Sequence, residues 1–335
     1  MLRLIGKWLI GFSVSLAALG YASSAVPLEQ AAALLVKASP LSVLAALGLV
    51  LIMTALRAWR WQLVVGWFGI AVSFRRSFDL VQLGNFVSQC VPGIIGGDIV
   101  RAWAAPRMAC PIKEASYAII ADRAFGFVAL VIVGTVAGII FLEDIWPDIE
   151  WQLSGGALMS GVVGTLLFLV VSGALILSSR SAQDKARRLQ VGLQYALQFV
   201  WRRKRHVSLL LAISILSHVI FCVMAFVLAY GLGVRGITLF ALIAVLPPVM
   251  LLTMLPISLA GWGIREGAMM FALSYIGVPR GEAFAVSILI GIVTFAGALH
   301  GAFVLVHLFG QSSRTEASLQ PSDPEGGLDT NKKMG

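Results

Sequence analysis

Three pairs of charged residues interrupt an otherwise apolar chain and are the first candidates for chemistry. Asp98 and Arg101 stand one helical turn apart in VPGIIGGDIVRA (91–102), Asp122 and Arg123 are neighbours inside the apolar run 115–142, and Arg265 and Glu266 follow Gly261-Trp-Gly263. Charge inside lipid is costly and marks either a functional site or a pair. A guanidinium beside the free N–H groups of a helix start is a site for an oxyanion such as phosphate. The chemistry on offer is therefore anion binding. Asp98 is a good N-cap type, so a helix is expected to begin near it, and Asn85 adds an amide in the segment leading to Pro92. The structural alternative is local pairing, Asp98 with Arg101 and Arg265 with Glu266, which would only pin the backbone. Protonation of Asp98, Asp122 or Glu266 would offer a route to ion coupling.

The elements that must position these residues follow from composition. Of 335 residues 59% are hydrophobic and only 12% charged, against about a quarter charged in ordinary globular chains. This predicts an all-α polytopic membrane protein. Runs long enough for the ~20 residues of a spanning helix lie at 41–65, 115–142, 155–178, 207–230 and 284–309. With the N-terminal run they make about six full transmembrane helices. Residues 1–25, with Arg3, Lys7 and a small-residue end, also fit a cleavable signal peptide. The formal charge of +9 is read as topology rather than as nucleic-acid binding, because cytoplasmic loops collect Lys and Arg. Loop 143–150 is acidic and loop 179–206 strongly basic, so the second is expected inside, together with 66–77, 98–114 and both termini.

Segments 78–97 and 238–278 are apolar but broken by Pro and Gly. The first enters and leaves on the cytoplasmic side in too few residues for two crossings, the second on the outer side. Both are expected to be re-entrant hairpins. Their turns align: Pro92, Gly97 and Arg101 recur at the same offsets as Pro256, Gly261 and Arg265, with Gly96 matching Ala260, and Gly93 and Gly263 adding turn glycines. Copies on opposite membrane faces predict an inverted repeat with broken helices, a common transporter plan. Irregular backbone at that depth needs protein or a watery cavity around it. Two half-helix starts would then line a polar path for an anionic headgroup while the acyl tails stay in lipid.

Asn85, Pro92-Gly93, Gly96-Gly97-Asp98, Arg101, Asp122-Arg123 and Gly126, with Pro256, Ser258, Gly261, Gly263 and Arg265-Glu266-Gly267 far downstream, resemble the lysylphosphatidylglycerol synthase transmembrane, flippase-like family. The resemblance covers roughly 5–309, nearly all of the membrane part expected over 1–310. It implies a lipid translocation unit for an anionic or aminoacylated phospholipid, a hopanoid or another lipid-linked headgroup, with Asn85, Asp98, Arg101, Asp122, Arg123, Arg265 and Glu266 as its substrate-binding residues. After Phe309 only a tail of 26 residues follows, so lysyl transfer is not expected from this chain. A membrane-embedded transferase for a lipid or polyprenyl carrier and a non-transporting partner of a lipid-biosynthetic enzyme are the other readings.

Within 182–201, Leu189, Leu193, Ala196, Leu197 and Val200 form an apolar stripe flanked by arginines. Such a helix would lie at the inner interface on anionic lipid, unless it is only a basic connector. The tail 311–335 is polar and without periodicity, and is expected to be disordered. No cofactor or metal is called for: no phosphate-binding G-x-x-x-x-G-K-[ST] and no H-E-x-x-H occurs. Cys90, Cys110 and Cys222 are read as packing residues. His218, His300, His307 and Ser154 are read as helix-packing or interhelical hydrogen-bonding groups rather than as a hydrolase site.

Overall fold

The computed structural model describes residues 28–91, 95–145, 203–253 and 262–318, with isolated positions before 28. The turn residues Pro92, Gly93, Pro256 and Gly261, the basic loop up to residue 202, Ser154 and the signal-like start lie outside the described residues. All regular structure among the described residues is helical. A short α1 (Leu28–Val36) leads through Ser39 to the long α2 (Pro40–Gly66), whose proline falls in the first turn, where a missing N–H costs nothing. Ser73 caps the next helix, α3 (Phe74–Cys90), by accepting from the Arg76 N–H. A break follows, then α4 (Ile95–Ala104), a 3-10 turn over Ala105–Met108, and α5 (Ile112–Ile145). The second half of the chain gives α6 (Lys204–Gly231), α7 (Leu239–Thr253), α8 (Ile264–Tyr275), α9 (Arg280–Ala298) and α10 (His300–Ser318).

Among the described residues, four stretches are long and apolar enough to cross a bilayer: Pro40–Gly66, Ile112–Ile140, Lys204–Gly231 and the combined run Arg280–Gly310. They match four of the spans expected from the sequence; the run 155–178 lies outside the described residues. The last is interrupted at Leu299, where helix α9 hands over to α10. α10 itself runs on to Ser318, past the 310 boundary drawn from composition. Large apolar side chains such as Leu44, Ile52, Ile120, Val136, Ile139, Phe271, Phe303 and Val306 point outward. A rim of that kind is what acyl chains would cover.

Packing fixes the directions of the helices. The Ser39 N–H donates to the Gly231 carbonyl at 2.9 Å, so α2 begins where α6 ends, and the two run antiparallel side by side. At the other end, Phe68 stacks on Tyr117 with ring centroids 6.1 Å apart, placing the start of α5 beside the end of α2. The chain order is therefore a long span, a broken helix pair and a long span, and this order occurs twice. Each closing span packs on the other half's pair: α5 on α7, with Gly134 against Pro247, and α10 on α3, with Gly301 against Gln82 and Phe86. Buried apolar residues form two clusters accordingly. One joins α1, the first half of α2, the end of α6 and α7 to α9; the other joins the second half of α2 to α3, α4 and the start of α5.

The first broken pair is wider than 78–97. Its arms cover Phe74–Cys90 and Ile95–Ala104, about 25 and 15 Å long at 1.5 Å per residue. The helix starts at Ile95, so Asp98 lies in its first turn and is not its N-cap. Arg101 likewise belongs to the buried arm and not to a loop 98–114. An uncompensated charge would end the buried segment at Asp98; here the charges are compensated inside the protein.

Candidate functional site

The arms α3 and α4 touch through glycine. A Cβ on Gly97 would collide with Ser88 Oγ and the Gly84 carbonyl, and one on Gly84 with the Arg101 stem. The close approach lets the Arg101 side chain cross over α3 and reach α2 and α5. There it is 6% exposed.

Around it, charges from three helices and a serine from a fourth meet. Arg60 Nε on α2 donates to Asp122 Oδ1 on α5 at 2.7 Å, and Arg60 Nη1 donates to Ser214 Oγ on α6 at 2.6 Å. The other Asp122 oxygen, Oδ2, lies 3.6 Å from Arg101 Nη1, which is also 3.6 Å from Asp98 Oδ1. Arg123 Nε donates to Asp98 Oδ2 at 2.8 Å. Arg57, half-buried one turn before Arg60, feels the charges of Arg60, Asp122, Arg123 and Arg101, yet has no carboxylate partner among the described residues. The Trp61 ring lies 5.7 Å from the Arg101 guanidinium carbon. Arg60 sits about 9 Å along the axis from the Gly66 end of α2, so the cluster belongs to that half of the spans.

Hydrogen bonding at the cluster is incomplete. Three donors, Arg101 Nε and Nη2 and Trp61 Nε1, are buried without a hydrogen-bond partner, and so are two acceptors, Asp98 Oδ1 and His218 Nδ1. Buried donors are satisfied in the great majority of proteins, and an exception calls for a ligand or water. Next to them, His218 on α6 is bonded through Nε2 to the Gly126 carbonyl at 3.0 Å; because a carbonyl can only accept, Nε2 carries the proton.

The second broken pair carries charge differently. Glu266 is fully buried and its carboxylate is saturated: Oε2 accepts from the Gly263 N–H at 2.6 Å, and Oε1 accepts from Arg265 Nη2 at 2.6 Å, Arg265 Nε at 3.0 Å and Ser287 at 3.4 Å. Gly263 holds φ at +85°, a conformation glycine takes without strain. Arg265 lies over Trp262 at 4.6 Å and presses on Gly291 of α9. The local pair anticipated from the sequence is thus present here, with both the helix start and Arg265 Nε and Nη2 directed to Glu266.

Of the residues singled out in the sequence, Asp98, Arg101, Asp122 and Arg123 come together, with Gly96 and Gly97 at the arm contact. Asn85 is half-buried on α3 and has no hydrogen-bond partner among the described residues. Arg265, Glu266 and Gly263 form their own group against α9. Sequence reasoning missed Arg57, Arg60, Trp61, Ser214 and Gly84. The signal was available, since Arg57 and Arg60 both fall inside the apolar run 41–65. His218 and His300 do what interhelical polar groups do, His300 bonding Asp79 at 2.8 Å. Burial pushes the Cys110 thiol up to about 11, with Glu114 adding to it, which suits a packing residue.

Apolar spanning helices closed around a buried, partly unsatisfied charge cluster define a polytopic helical membrane protein with an internal polar site. Residues 8–301 match the family described as the lysylphosphatidylglycerol synthase TM region, and the chain belongs to that family. A UPF0104 membrane protein of Methanothermobacter thermautotrophicus is similar to it, 25% identical over 284 residues that cover 77% of this chain and 82% of the relative.

Proposed function

We propose that the protein moves a lipid between the leaflets of the membrane, its headgroup passing through the Arg101 cluster while the acyl chains remain outside. The observation that carries this reading is the buried Arg101 guanidinium with two donor nitrogens unmet, held at membrane depth by a glycine-packed helix pair. A cation kept there solely for pairing would be expected to have its donors filled. Unmet donors buried inside a bundle with an apolar outer face fit a transient anionic guest instead.

The repeated order of span, broken pair and span, with antiparallel α2 and α6 and exchanged packing of the closing spans, supports an inverted repeat whose broken pairs re-enter from opposite faces. In this reading the Gly66 end of α2 is cytoplasmic, as are both chain termini and the basic stretch 179–206, which would hold anionic lipid near the cluster. Gly291 and Phe295, one turn apart on α9, touch Arg265 and Phe86 respectively. Both broken pairs therefore converge on the middle of one span, which is where alternating access would operate. A lipid-biosynthetic enzyme is the natural partner for the supply of substrate.

Purified protein in liposomes carrying fluorescent anionic or neutral lipid tests the reading. Leaflet exchange above that of protein-free vesicles, faster for the anionic probe, is the expected result. Rates equal to those of protein-free vesicles for every lipid would refute it.

A further inference from the structure

Charge balance at the cluster narrows what the headgroup can be. Arg57, Arg60, Arg101 and Arg123 face Asp98 and Asp122. Guanidinium stays charged in proteins, so two positive charges lack a counter-charge among the described residues. The unmet donors agree with this balance: Arg101 Nε, Arg101 Nη2 and Trp61 Nε1 await acceptor atoms, while the unmet acceptor Asp98 Oδ1 already lies 3.6 Å from Arg101 Nη1.

An ammonium group would need the reverse, a carboxylate free to accept. Among the described membrane-embedded residues with described side chains, each carboxylate already has a basic partner, and Asp98 Oδ1, which accepts no hydrogen bond, lies 3.6 Å from Arg101 Nη1. Asp122 is held by Arg60 and Arg101, Asp98 by Arg123 and Arg101, Glu266 by Arg265 and the Gly263 N–H, and Asp79 by His300. A lysyl or other aminoacyl headgroup brought to the cluster would set its cation against four arginines. Like charges in a low-dielectric site repel strongly.

Resting on the translocation reading above, we infer that the cluster binds the phosphate of a net-anionic lipid headgroup that carries no aminoacyl amine, with Arg57, Arg101 and Trp61 as its donors. Arg60 is a positioning residue in this site: its Nε and one Nη are spent on Asp122 and Ser214, and it fixes the carboxylate that turns Arg101. An oxyanion accepting from Arg101 Nε and Nη2 would meet donors without displacing any existing ion pair.

The test is ligand binding to the full chain in detergent, followed by native mass spectrometry. The probes are short-chain phosphatidylglycerol, its lysyl ester, phosphatidylcholine of the same chain length and inorganic phosphate. Phosphatidylglycerol is expected to bind at least about tenfold more tightly than the lysyl ester or phosphatidylcholine, the range of one or more charge-assisted hydrogen bonds. Arg57→Ala, which breaks no pair, is expected to remove most of that preference while leaving the melting temperature in place. Arg101→Lys, which keeps one charge but loses the fork, should weaken binding with less risk to folding than an alanine. Equal or tighter binding of the lysyl ester would overturn the inference. So would binding of inorganic phosphate as tight as that of phosphatidylglycerol, which would make the site one for free anion. Selective phosphatidylglycerol binding without leaflet exchange would instead refute translocation and leave the inference standing.

Discussion

Arg60 and Asp122 are the residues whose loss the fold should feel most. Both are buried, and their 2.7 Å contact joins α2 to α5 while Ser214 ties in α6. Breaking such a pair leaves a charge uncompensated and costs about 3–5 kcal/mol. Arg60→Ala is therefore expected to lower stability by that amount in denaturant titrations in micelles. Arg57→Ala should leave it unchanged or raise it, because Arg57 has like charges around it and no carboxylate of its own. At the second pair, Glu266→Ala removes the acceptor of both Arg265 and the Gly263 N–H, and a loss of similar size is expected. Glu266→Gln keeps one carbonyl acceptor and should be milder. Equal melting temperatures for the two Glu266 variants would show that the carboxylate charge, rather than the acceptor geometry, matters there.

The α3–α4 pair is an element held together by the absence of side chains. Gly97 meets backbone of the facing arm, which cannot move aside as a flexible side chain would. Gly97→Ala should separate the arms, costing about 1–3 kcal/mol by overpacking and drawing Arg101 away from Asp122; a drop in melting temperature together with weakened phosphatidylglycerol binding would register both. The existence of this pair was legible from Pro92, Gly96 and Gly97 interrupting an apolar run, and so were the long spans, because length and hydropathy alone decide them. Its extent was not. A linear pattern ends the segment at Asp98 and makes the next charges a loop, whereas Arg123 and Asp122 on α5 form ion pairs with Asp98 and Arg101 that let the helix stay buried. Which charges pair across sixty residues depends on helix rotation, and rotation is set by packing that a linear pattern does not encode. Arg60 was hidden for the same reason, looking like one more basic residue near an inner membrane boundary.

At the scale of the molecule, the two halves carry the same plan but not the same chemistry. The first half leaves donors unmet at Arg101, whereas the second directs Arg265 to its own neighbour Glu266. The proposed path is thus asymmetric, with an anion site in the first half and a pinned helix start in the other. Topology is open to direct labelling in a cysteine-free background. Lys37→Cys and Arg235→Cys, both exposed at the end where α2 begins, should react with an impermeant maleimide from outside intact cells. Arg75→Cys and Arg205→Cys, exposed at the opposite end, should react only after permeabilisation. The reverse pattern would turn the molecule over and move the anion site to the outer leaflet. The most direct test of the central claim is the rate of leaflet exchange of an anionic lipid probe in liposomes containing wild type or Arg101→Ala, both checked for folding. Wild type should exceed empty vesicles, and the variant should fall back by at least about tenfold, the loss expected for charge-assisted contacts to phosphate. Undiminished exchange in a folded Arg101→Ala protein would contradict a headgroup path through this cluster.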